Sequence, residues 1–170
     1  MRSLAQSTTS FENAIVKSIE GYDGYQSPNA RSVTDRRLRD YLMNSLKNIQ
    51  QELTRLEPKI NQDKHHEISE AFHHLISSLK IIIQSMRNPS YSNSSFFRKV
   101  KLSPGVLNQI YDFDSHLVDQ VDIFFDELNA LNQTGDDSEI EDILKHLFDL
   151  IDRLNQTVSE REFLILADEQ

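Results

Sequence analysis

The sequence predicts an all-α domain, an up-down four-helix bundle with a short N-terminal helix and one long crossing loop. Three observations predict it. Apolar residues recur at alternating steps of three and four in four long segments, only four Gly and four Pro interrupt the 170 residues, and 38% hydrophobic content suffices for one core.

The first series runs Leu38, Leu42, Ser45, Ile49, Leu53, Leu56 and Ile60, and the second Ile68, Phe72, Leu75, Leu79, Ile82 and Met86. The third runs Leu107, Ile110, Phe113, Leu117, Val121, Phe124, Leu128 and Leu131, and the fourth Ile140, Ile143, Leu147, Ile151, Leu154 and Val158. Such steps place each series on one side of a helix, and each side must be buried against another.

Punctuation sets the boundaries. Thr9 and Glu12 have capping-box spacing, which predicts a short helix over Phe11 to Glu20 ended by Gly21. Turn formers from Gly21 to Asn29 follow, so the expected organisation is an arm over 1–30, one bundle domain over 31–166 and a tail over 167–170. The first long helix is expected to start between Ser32 and Thr34 and to stop at Glu57, because Pro58 lacks an amide hydrogen. Its antiparallel partner runs from about Asp63 to Arg87. Asn88 to Leu102 is an irregular crossing, longer than most loops in compact domains. Ser103 and Pro104 cap a third helix reaching about Asn132, and Ser138 with Glu141 open a fourth that runs to Thr157 and on towards Leu166.

Composition narrows the function. No stretch approaches the roughly 20 apolar residues of a membrane span, and the first residues do not resemble a signal peptide. With no Cys, disulfides and thiol catalysis are excluded, and a cytoplasmic location is expected; the sequons at Asn93, Asn132 and Asn155 then read as incidental. The net charge of −9 is unevenly spread: Arg31 to Lys59 holds seven basic and four acidic residues, whereas Asp112 to Glu169 holds seventeen acidic and three basic. The acidic half either pairs within the bundle and keeps it soluble or meets a basic protein partner. Nucleic acid is not an expected partner, since an acidic surface repels phosphates.

Candidate sites are few. Asp63, His66, Glu70 and His73 share one helical stripe, and Glu70-x-x-His73 has the spacing of di-metal bundle proteins. No second Glu-x-x-His exists, since Phe113 and Ile143 precede His116 and His146, so an exposed polar face is the competing reading and no cofactor is expected. No catalytic residues are expected either: there is no nucleophile elbow, and Gly21-Tyr-Asp-Gly24 lacks the rest of a phosphate loop. Arg31, Arg36 and Arg39 sit where a helix dipole disfavours cations, so they either pair with Asp35, Asp40 or the acidic fourth helix, or bind an anion or acidic lipid beside Tyr22 and Tyr25. Phe96, Phe97, Arg98 and Lys99, followed by Lys101, pose the same choice between docking the loop and forming a tip for a partner or membrane surface.

Gly21-Tyr22-x-Gly24-Tyr25, then Arg31, Asp35, Arg39 and Leu42, then Tyr91-Ser92 with Phe96-Phe97, and Tyr111-x-Phe-Asp114 together resemble a family of bacterial helical-bundle proteins with no established activity. The likeness spans roughly Ile19 to Phe163, with Asp23 standing where that family commonly has Lys and Asn93 where it has Gly. It implies a helical bundle and no particular chemistry. The aromatic residues Tyr22, Tyr25, Tyr91, Phe96 and Phe97 are expected to plug one bundle end, their hydroxyls reaching Arg31, Asp35 or Asp114. These features lead to the expectation of a non-enzymatic interaction or scaffolding protein; the alternatives are a metal-binding bundle and peripheral membrane contact through residues 96–101.

Overall fold

The computed structural model describes residues 19–60 and 66–167. Four helices lie among them: α1 Pro28–Ile60, α2 His66–Arg87, α3 Pro104–Gln133 and α4 Asp137–Ala167, with a 3-10 turn at Ser95–Phe97. The expected short helix over 11–20 lies almost wholly outside the described residues, as do Asp63, His65 and the end of the tail.

Packing follows the seams. Leu38, Leu42, Leu46, Ile49 and Leu53 of α1 are buried with Phe72, Leu75 and Leu79 of α2, Ile110, Leu117, Val121 and Phe124 of α3, and Leu147, Ile151 and Leu154 of α4. Helix α1 packs on α2 and α3, and α4 on α3 and α2, leaving α1 with α4 and α2 with α3 on the diagonals. The segment joining α2 to α3 therefore crosses one bundle end corner to corner. That end collects the starts of α1 and α3 and the finishes of α2 and α4.

Several boundaries differ from expectation. Helix α1 begins at Pro28, with Ala30 N–H bonded to the Ser27 carbonyl, and at α3 Pro104 follows Ser103, whose hydroxyl accepts from Val106 N–H at 3.2 Å. Pro58 lies inside α1 rather than after it. Its missing hydrogen bond falls in the last turn, which Glu57 ties to α2 by accepting from Ser69 Oγ at 2.7 Å. Helix α4 is capped by Asp136, which accepts from Glu139 N–H at 3.0 Å, two residues before the expected Ser138 and Glu141 box.

The inward register also corrects two seam positions. Leu46 is buried where Ser45 was expected, and on α3 Asp114 takes the interior position between Ile110 and Leu117 while Phe113 turns to the α3–α4 flank. A step of four then three fits a helix as well as three then four, and hydropathy favours Phe. The partners gathered around Asp114 decide it otherwise.

Candidate functional site

The crossing end encloses a buried polar cluster. Gly21 and Gly24 both adopt positive φ, 77° and 76°, a conformation that residues with a Cβ rarely hold. These two bends turn Tyr22 and Tyr25 inward, their rings edge to face at 5.9 Å. Both hydroxyls donate to Asp114 Oδ2, at 2.6 and 2.7 Å. Tyr111, one helical turn before Asp114, accepts the Tyr25 backbone N–H at 2.8 Å.

Arg161, from the end of α4, completes the cluster. Its Nε donates to Asp114 Oδ1 at 2.6 Å, its Nη2 to the Tyr25 hydroxyl at 2.8 Å and its Nη1 to the Tyr91 hydroxyl at 3.0 Å, while Nη1 also forms an ion pair with Asp35 Oδ1 at 2.9 Å. Tyr91 in turn donates to Asp35 Oδ1 at 3.1 Å, and Arg39 donates to Asp35 Oδ2 at 2.9 Å and to the Met86 carbonyl at 2.9 Å. Two carboxylates thus face two guanidinium groups, which is the condition for burying charge without a large penalty.

Burial sets the protonation states. It pushes the Tyr22, Tyr25 and Tyr91 hydroxyls above the ordinary tyrosine value, with Asp114 adding to the effect on the first two, so all three stay protonated and donate. Burial likewise pushes the Asp114 carboxyl up, opposed by Arg161 and by the tyrosine donors. Burial disfavours the Arg161 charge, but Asp114 and the surrounding acidic groups outweigh it and hold the guanidinium firmly protonated.

The loop is fastened to the same end. Arg31 donates from Nε to the Tyr25 carbonyl at 2.7 Å and from Nη1 to the carbonyls of Phe96 and Lys99 at 3.0 and 2.6 Å. Thr34 Oγ1 donates to the Gly24 carbonyl at 2.9 Å, and Ser94 Oγ to the Ile165 carbonyl at 3.0 Å. Phe96 is buried against Tyr25 and Phe97, so the 3-10 turn docks on the bundle.

The candidates from the sequence therefore divide. Tyr22, Tyr25, Arg31 and Phe96 are interior, and the hydroxyls reach Asp114 and Asp35; Arg31 serves backbone carbonyls instead of hydroxyls. Arg39 pairs with Asp35, whereas Arg36 sits beside Asp40 with its side chain 78% exposed. The acidic fourth helix supplies a cation to this end, the reverse of the expected compensation. Arg98 is exposed, Phe97 and Lys99 are half-buried, and Val100 beside them is 81% exposed.

Arg161 escaped the sequence reading, and Tyr111 entered it only within the Tyr111-x-Phe-Asp114 motif, with no role of its own. A signal for Arg161 was present: the series Leu154, Val158, Arg161, Ile165 continues the α4 seam, which places an arginine at an inward position. On α2, His66 lies 3.5 Å from Glu70, and His73 lies 3.5 Å from Glu57 of α1, both histidines exposed. Among the described residues no three His, Asp or Glu side chains gather as a metal site would require. Nor is any helix among them long and apolar enough to cross a membrane.

No protein-family model, curated protein or solved structure matches this chain.

Proposed function

We propose that this chain is a non-enzymatic helical interaction protein that presents a preformed surface to a protein partner. The closure of the polar cluster carries the reading. Asp114, Arg161, Asp35 and the tyrosine hydroxyls direct their bonds at one another, and the cavity beside Arg161 and Tyr91 is about 20 Å³, room for one water. A catalyst needs such groups to open onto a substrate. Here they hold the arm, the loop and all four helices together.

The test is affinity capture with the full chain as bait in extract from its native source. Stoichiometric recovery of a protein that survives washing at physiological salt supports the reading. Turnover of a small molecule that is lost in Asp114→Asn, but kept in a core variant of equal stability, overturns it.

A second reading rests on the loop tip. Val100 projects between Lys99 and Lys101, next to Arg98, on a backbone that Arg31 fixes in place. Such a tip suits peripheral contact with an anionic bilayer. Flotation with anionic vesicles that disappears in Val100→Ser combined with Lys101→Ser supports this reading, and absence of flotation for the unaltered chain removes it.

A further inference from the structure

Near the crossing end, α3 and α4 border an open groove of about 610 Å³. Phe113, Phe163 and Leu164 give it an apolar floor, and Asp112 and Glu160 stand on its two walls. Phe163 is 72% exposed and lines the same groove as Phe113. Gln120 Nε2 donates to Thr157 Oγ1 at 3.1 Å, linking α3 to α4 one step beyond His116 and Ser159 of the lining. From Gln109 to Gln120 the rise along α3 is about 16 Å, roughly three helical turns.

The lining of the groove holds two carboxylates, Asp112 and Glu160, and no lysine or arginine. Asp112 to Glu169 holds seventeen acidic residues and three basic ones, and of those three Arg161 is turned inward and Lys145 is paired with Asp142 at 3.0 Å. A cationic ligand complements Asp112 and Glu160; an anionic one, whether lipid or nucleic acid, is repelled by them.

The geometry points to this groove as the docking site for a short amphipathic helix of a basic protein partner, its apolar anchors set on Phe113 and Phe163 and its Lys or Arg side chains set against Asp112 and Glu160. The inference rests on the interaction-protein reading and adds the place and the chemistry of the partner. A helix with apolar residues at i, i+3, i+4 and i+7 supplies anchors over the length available, the recurring helix-in-groove mode.

A labelled leucine-lysine amphipathic peptide of about 15 residues serves as the probe, with a leucine-glutamate counterpart as control. Fluorescence anisotropy with the full chain is expected to show saturable, salt-sensitive binding of the lysine peptide only. The affinity should fall about tenfold or more in Phe163→Ser, and less in Asp112→Asn with Glu160→Gln. Because Phe163 is exposed, an unchanged melting temperature confirms that Phe163→Ser folds. Equal binding of both peptides, or binding indifferent to Phe163→Ser, overturns the assignment. So does tighter binding after deletion of residues 1–18, which makes this chain's own arm the occupant, or self-association abolished by Phe163→Ser, which makes it a second copy. If the bait recovers a partner equally with Phe163→Ser, the groove fails and the interaction reading stands; if no partner is recovered at all, the reading beneath it fails.

Discussion

Arg161 near the end of α4 meets Asp114 near the start of α3 at 2.6 Å, with both side chains buried. Removing the cation leaves Asp114 and Asp35 short of compensation in a low-dielectric interior. Arg161→Ala is therefore expected to destabilise by about 3–5 kcal/mol. In an Asp114→Asn background the same change should cost less, and urea unfolding of the four-member cycle measures the difference. Additive effects would show that the two side chains do not share their energy.

Tyr22→Phe and Tyr25→Phe each take one donor from Asp114 while keeping the ring packing. A cost of about 1–3 kcal/mol is expected for each. Tyr41→Phe is the control, since its partly buried side chain lies outside the cluster, and chemical denaturation should leave it within about 0.5 kcal/mol of the unaltered chain.

Arginines four positions from their carboxylates should behave differently according to depth. Arg39 is 17% exposed and bonded to both Asp35 and Met86, so Arg39→Ala should lower stability by about 1–3 kcal/mol. Arg36→Ala should change it by less than about 0.5 kcal/mol, because an exposed pair adds little. Thermal melts that rank the two variants in the opposite order would contradict the burial argument.

In the apolar seams, Leu79 and Leu117 sit at the bundle centre. Leu79→Ala and Leu117→Ala should each cost about 2–5 kcal/mol through lost burial and a residual cavity. An unchanged melt for either would displace that residue from the core.

Alkaline pH provides a test of the tyrosines as a group. Tyr22, Tyr25 and Tyr91 have folded values raised above that of the unfolded chain, so above pH about 10 the unfolded state loses protons that the folded state keeps. Their contribution is complete below that pH and declines above it, by about 1.4 kcal/mol per pH unit for each proton by which the states differ. Tyrosinate absorbance should rise less in the folded chain than its five tyrosines would give, with the remainder appearing on unfolding.

The bundle was legible because its signal is repeated many times: four apolar series at helical spacing leave little choice of fold, and one misplaced residue does not disturb the pattern. The cluster was legible only in outline. The aromatic plug could be read from Tyr22, Tyr25, Tyr91 and Phe96, and its carboxylates from their position in the chain. Asp114 could be named as a partner of the hydroxyls, but its inward seam position was hidden because Phe113, its neighbour, also fits the seam and is apolar. Arg161 was hidden because hydropathy assigns a charged residue to solvent, and its two carboxylates stand 47 and 126 positions earlier in the chain. The diagonal course of the loop, which brings them together, depends on packing between helices and has no local signature.

The bond from Arg161 to the Tyr25 hydroxyl joins residues 136 positions apart. A ribosome that has made the arm and α1 must work for on the order of ten seconds more before Arg161 exists. Once Tyr91 and Asp114 have been made, Asp35 and Asp114 have their tyrosines and Arg39 but still lack the cation that joins them, so until Arg161 follows, burying both carboxylates is unfavourable. The crossing end is consequently the last part of the molecule to be sealed during synthesis, and a chain that stops before α4 is complete would leave its tyrosines and acidic groups open to solvent.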